Sequence, residues 1–145
     1  TALDVTIQAQ YLKLLNEIKK ASDLSIIFIT HDFGIIAAMC DRVMVMYAGR
    51  IVESGTVREI FDQPLHPYTQ ALMASVPSIE RKIERLVSIK GTPPALWDLP
   101  VGCRFAPRCP RVMPRCREEY PMNEHLQSTD IRGHQAACWL IGDQT

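Results

Sequence analysis

Four thiols and two polar residues carry the chemistry that this sequence can offer. Cys103, Cys109, Cys116 and Cys138 follow the pattern C-x5-C-x6-C-x21-C. Thiolates are soft donors that suit zinc and iron–sulfur clusters alike. The spacing is neither the tight pair of a zinc ribbon nor the run of a bacterial ferredoxin, so spacing alone leaves both metals open. Arg104, Arg108, Arg111, Arg115 and Arg117 interleave the first three cysteines. Guanidinium groups would offset the negative charge that four thiolates leave around either metal centre. They support a metal–thiolate site without choosing the metal. His125 and His134 are further donors, and His134, close to Cys138, is a candidate partner just behind the ligands. The fifth cysteine, Cys40, follows Ala37-Ala38-Met39 and reads as an ordinary apolar thiol. Separately, His31 ends an apolar run, where an imidazole can contact a phosphate, and Asp4 precedes an amphipathic stretch.

The chain around these residues has 145 positions, 47% of them hydrophobic, and a formal net charge of zero. A packed core is expected and global disorder is not. Neutral charge gives no support to a nucleic-acid-binding chain, and no aromatic stacking pattern accompanies the arginine-rich stretch. No apolar run is long enough for a membrane span, and the start does not resemble a signal peptide. An odd cysteine count without that signal argues against a disulfide framework. The first residue is Thr, which suggests a piece of a longer protein.

Several elements must position the site. Ile7, Tyr11, Leu14, Leu15 and Ile18 mark one face of a helix, with Asp4 or Thr6 as its cap. "SIIFITHD" predicts a strand buried on both faces, within an α/β layered sheet. "RVMVMYAGRIVESG" predicts a hairpin turning at Ala48-Gly49, with Arg50 and Glu53 solvated. Thr56 and Glu59 match a capping box, and "PLHPYTQALMASVP" predicts a helix from Pro67 to near Pro77. From Ser78 the chain turns charged, then Pro/Gly-punctuated, which places a boundary near residues 77 to 90. The last segment is short of apolar residues, so metal ligation would help to staple it. Trp97, Phe105, Trp139 and Leu140 are candidates to cover such a site.

In order, "TALD", "IIFITHD", "CDRVMVMYAGRIVESG", "HPYTQALMASVP" and "GTPPAL" with "GCRFAPRCP" resemble a known family. The chain is similar to the C-terminal part of the ATP-binding subunits of oligopeptide/dipeptide (and nickel-peptide) ABC transporters. "TALD" resembles the D-loop and "IIFITHD" the switch strand. The resemblance implies an α/β fold: the end of an ABC-type nucleotide-binding domain over residues 1–77, then a small irregular cysteine-rich extension over 78–145. It implies that Asp4 lies at the interface of two nucleotide-binding domains and that His31 is the catalytic switch histidine. It implies a [4Fe–4S] cluster on Cys103, Cys109, Cys116 and Cys138, with zinc as the alternative, and ATP with Mg in the full-length parent. The implied partners are transmembrane permease subunits, a second ATP-binding subunit and, indirectly, an extracellular peptide-binding protein, at the cytoplasmic face of a prokaryotic membrane. The chain departs from the full pattern. It has no G-x-x-x-x-G-K-[ST] phosphate loop, and nothing in it resembles the ABC signature, the Q-loop or the Walker B strand. Those motifs are expected upstream of Thr1, so this stretch by itself is not expected to hydrolyse ATP. A metal-stapled interaction or sensing module without catalysis is the other class of reading.

Overall fold

A computed structural model describes residues 4–76, 88–122 and 133–142. They belong to two compact units, Thr1–Asp41 and Arg42–Thr145. The boundary expected near residues 77 to 90 begins outside the described residues, as does His125.

In the first unit, α1 (Val5–Ser22) starts where the Asp4 side chain accepts the Thr6 N–H at 2.8 Å. This satisfies one of the donors that a helix start leaves unpaired. It ends at Asp23, in the left-handed conformation with φ 49°, after Lys19 and Lys20 have placed positive charge beside the last carbonyls. The predicted apolar stripe forms, yet Ile7, Tyr11 and Leu14 remain about half exposed. α2 (Phe33–Met39) is capped by Asp32, whose carboxylate accepts the N–H groups of Gly34 and Ile35 at 2.8 and 3.2 Å.

Between the two helices the expectation of a buried strand fails. Residues 24–30 form no strand, and Ile27 and Ile29 are 90% and 98% exposed. The apolar, β-branched composition is that of a strand, but a strand exists only when its N–H and C=O groups meet a neighbour. Among the described residues this segment has none.

The second unit is built on an antiparallel sheet in the order β1-β2-β3. β1 (Arg42–Tyr47) and β2 (Arg50–Thr56) form the predicted hairpin. Its two-residue loop has φ 45° at Ala48 and 81° at Gly49. Two positive φ values in succession give the turn whose twist matches paired strands. Alanine tolerates that conformation poorly, and the Arg104 guanidinium, which donates to the Ala48 carbonyl, holds it in place. β2 runs into α3 (Val57–Asp62) through the full capping box. The Thr56 hydroxyl accepts the Glu59 N–H, and the Glu59 carboxylate accepts the Thr56 N–H at 2.8 Å. α4 (Pro67–Ser75) begins with Pro67 in its first turn, where a missing N–H costs nothing.

β3 (Gln135–Ala136) returns from near the end of the chain to pair Ala136 with Glu53 and Gln135 with Ser54. The core of this unit is Tyr47, Val52 and Phe105, with Tyr68 and Ile89 against it. The Phe105 ring lies 5.2 Å from Tyr47 edge-on and 5.4 Å from Tyr68. These separations are in the favourable range for aromatic pairs. The sheet is small and mixed with helices, and no layered parallel sheet occurs among the described residues.

Candidate functional site

The hairpin supports a cluster of polar groups that local sequence did not foretell. Glu53 is expected to be solvated, but it is fully buried. Its carboxylate accepts the Leu65 N–H at 2.8 Å, the His66 N–H at 2.9 Å and the His134 Nε2–H at 2.7 Å. A buried carboxylate is tolerated when donors saturate it, and three converge here. His134 is thereby turned to the hairpin and is not among the residues beside the cysteines, contrary to the expectation from its nearness to Cys138. Arg50 lies over the Tyr120 ring at 4.1 Å and is only half-buried.

The four cysteines meet at one place. Cys103, Cys109, Cys116 and Cys138 line a single small pocket together with His66 and Phe105. Each is brought there by a short element. The Cys103 N–H donates to the Cys116 carbonyl at 2.8 Å, which joins the start of the stretch to α5 (Arg115–Glu118). A single 3-10 turn, Ala106–Arg108, separates Cys103 from Cys109. Cys138 is delivered by β3: the Ala137 N–H donates to the Val52 carbonyl at 2.8 Å, and α6 (Trp139–Gly142) follows directly.

Gly102 is required by this arrangement. A Cβ there would fall onto the Cys116 carbonyl oxygen and lie 2.8 Å from the Arg117 carbonyl carbon. Trp139 and Leu140 line the pocket as expected, whereas Trp97 is 91% exposed and does not.

All four thiols are free. Burial pushes the Cys103, Cys109 and Cys138 thiols up from their ordinary range, and the nearby cysteines push in the same direction. Both influences favour the neutral form of these three thiols. The arginines offset this much less than their number suggests. Arg111 lines the pocket and lowers the Cys109 thiol, a smaller influence than burial. Three of the others are occupied elsewhere. Arg104 serves Ala48, and Arg108 donates to the Lys90 and Ile89 carbonyls at 3.0 and 3.1 Å. Arg115 pairs with Glu119 and lies 3.5 Å over the Trp139 ring. The arginine run mainly ties the irregular segment to the hairpin and to itself.

Among the described residues, no three His, Cys, Asp or Glu side chains form a group that would hold a single metal ion. A lone zinc draws four sulfurs to about 2.3 Å from one point. The thiols share a pocket without forming a metal-binding group, so neither the expected [4Fe–4S] centre nor its zinc alternative is supported.

The other expected site residues lie in the first unit. His31 is exposed. It is flanked by two local bonds: the Thr30 hydroxyl accepts the Asp32 N–H at 3.0 Å, and Asp32 caps α2. Asp4 is exposed and caps α1. Cys40 follows α2 in the first unit, and burial raises its thiol as well. No helix among the described residues is long and apolar enough to cross a membrane.

With this geometry, comparison with known proteins is informative. Residues 52–116 match the family described as "Oligopeptide/dipeptide transporter, C-terminal region". They span the return strand, the His66-Pro67-Tyr68 motif and three of the four pocket cysteines. Over most of its length the chain is similar to transporter ATP-binding proteins, and the matched model describes their C-terminal region. It is 50% identical over 140 residues to the dipeptide transport ATP-binding protein DppD of Bacillus subtilis, covering 97% of this chain and 41% of that protein. It is 46% identical over 144 residues to the oligopeptide transport ATP-binding protein OppD of Haemophilus influenzae, covering 99% of this chain and 43% of that one. A probable peptide ABC transporter ATP-binding protein of Sinorhizobium fredii is 51% identical over 140 residues, 96% of this chain and 41% of its own. The chain thus spans about two fifths of the length of these relatives.

Proposed function

We propose that this chain is the C-terminal part of an ATP-hydrolysing subunit that energises import of peptides or related solutes. The observation that carries the reading is the match at about half identity, over nearly the whole chain, to proteins named for dipeptide and oligopeptide transport. The presentation of His31 agrees with it. An exposed imidazole between a hydroxyl-capped turn and a capped helix can donate to a phosphate oxygen and orient an attacking water. Phosphoryl transfer depends on such positioning and charge stabilisation. Asp4, at the start of α1, would face the second nucleotide-binding domain. In the whole subunit ATP and Mg would be held by motifs that this chain does not contain. Permease subunits, a second ATP-binding subunit and an extracellular peptide-binding protein would complete the transporter, with this subunit on the cytoplasmic face. His31→Ala in the intact subunit is expected to abolish ATP hydrolysis and solute uptake while ATP still binds. Normal hydrolysis and uptake in that variant would overturn the role of His31.

For the cysteine pocket we propose a [4Fe–4S] cluster held by Cys103, Cys109, Cys116 and Cys138, with residues 78–145 as its module. Four free thiols on one pocket support it. Such a group would supply the charge that lets all four ionise, and would tie β3 to the stretch after Gly102. Anaerobically purified subunit should contain iron and labile sulfide, about four of each per chain. Zinc without colour would replace the cluster by the one-ion alternative. Metal content unchanged by joint Cys103→Ser and Cys138→Ser substitution would remove the four-cysteine set.

A further inference from the structure

Trp97 does not cover the cysteines, and its actual place is unusual. The Asp98 N–H donates to the Ala95 carbonyl at 3.0 Å, which closes a turn with Leu96 and Trp97 as its two central residues. Turn positions favour Gly, Asn, Asp and Ser. Here they hold a leucine 70% exposed and a tryptophan 91% exposed, and Val101, on the same loop, is 86% exposed. The loop is anchored at both feet. At one, Arg108 donates to the Ile89 and Lys90 carbonyls, and Ile89 packs on the core. At the other, the Cys103 N–H is bonded to the Cys116 carbonyl. Pro93, Pro94 and Pro100 fix φ between those anchors. Three large apolar side chains are thus held outward on a firm base, at a cost in solvation unless something receives them.

Charge and size select the receiver. Residues 88–122 carry six Lys and Arg against three Asp and Glu, a net charge of +3, whereas residues 42–76 carry three of each sign. Among the described residues only Arg115 of the five arginines meets a carboxylate. Arg104 and Arg108 donate to carbonyls and Arg111 to the Gln70 side-chain oxygen, so their charge is not cancelled, and Arg117 is exposed. Three side chains on one loop bury far less than the about 1,200 Å² that a stable protein interface needs. An apolar, aromatic tip with cationic feet instead suits a bilayer surface, where Trp sits at headgroup level and anionic lipids attract basic segments. We propose that the turn at residues 95–98 is a lipid-contacting tip. Leu96, Trp97 and Val101 enter the headgroup region of an anionic leaflet, and the guanidinium charge at the foot of the loop meets lipid phosphates. The proposal rests on the reading of the chain as part of a subunit on the cytoplasmic face of a membrane.

The test uses the intact subunit and vesicles of phosphatidylcholine, with or without phosphatidylglycerol. Wild-type protein is expected to sediment with the anionic vesicles, less so in high salt, and hardly at all with the neutral ones. Joint Leu96→Ser and Trp97→Ser substitution, at exposed positions, is expected to weaken that binding at least about tenfold. Brominated lipid should quench the fluorescence that wild type shows and Trp97→Phe lacks. Equal vesicle binding by wild type and the double variant, or no quenching that belongs to Trp97, would overturn the proposal. So would a double variant that binds vesicles normally but no longer co-purifies with permease subunits, because the tip would then serve a protein. ATP hydrolysis by the same wild-type preparation, measured without lipid, tests the subunit reading separately. An inactive protein whose tip still inserts would remove that reading and leave the lipid contact standing, whereas an active protein that ignores anionic vesicles would remove the lipid contact alone.

Discussion

Glu53 is the residue whose removal should be felt most widely, and the size of the effect follows from its three partners. Its carboxylate joins the loop before α4, through the Leu65 and His66 N–H groups, to the returning strand, through His134. All of this occurs at a fully buried side chain. Glu53→Leu has similar bulk but strands three donors, one buried and two partly buried, each worth up to about 1–3 kcal/mol. The leucine avoids the cost of burying a carboxylate, which offsets part of the loss. The net destabilisation is expected to be about 2–5 kcal/mol. Glu53→Gln can keep its amide oxygen toward Leu65 and His134 but then turns its NH2 on the His66 N–H. One lost acceptor predicts about 1–2 kcal/mol. Amide hydrogen exchange of the intact subunit reads this directly, in peptides that contain Leu65 and His66. At about 1.4 kcal/mol per tenfold, exchange there should quicken at least tenfold in the leucine variant and severalfold in the glutamine variant. Combining Glu53→Leu with His134→Ala should cost less than the sum of the two, because both remove the same bond. Exchange within twofold of wild type in both single variants would refute the claim that this carboxylate organises the module.

Two further perturbations test the local geometry. Gly102→Ala drives a methyl group into the Cys116 carbonyl, where backbone lies on the other side, so a loss of about 1–3 kcal/mol and a clear fall in bound iron are expected; thermal melting and iron analysis check both. Thr56→Ala should cost about 1 kcal/mol through loss of the α3 cap. The Thr56 N–H, and then its hydroxyl, hold the Glu59 carboxyl below its usual range. A lowered folded value means stability present above the unfolded value of about 4.3 and lost as pH falls through the folded one. Acid titration of Glu59→Gln should lack that component, and an unaltered acid profile would contradict it.

Elements defined by neighbouring residues were legible in the sequence. Asp4, Thr56 with Glu59, and Pro67 mark helix starts because a cap acts within three or four positions of itself. The hairpin was legible for the same reason, since alternation and a two-residue turn are local. Glu53 was not. Alternation says which residues share a face of a strand, not whether a loop and a returning strand will cover that face. The segment from Ile26 to Thr30 failed for the complementary reason. Its composition is that of a strand, but strands require partners, and none stands beside it among the described residues.

The site divides along the same line. The donor types were readable residue by residue: four soft thiols, a histidine after an apolar run, a His-Pro-Tyr motif, and the family that they resemble. Only the tertiary structure decided that Cys138 joins Cys103, Cys109 and Cys116, that His66 sits among them, and that the arginines mostly turn elsewhere. Side-chain chemistry is written residue by residue, whereas proximity between distant residues depends on β3 pairing with β2 and on which carbonyls the guanidinium groups meet.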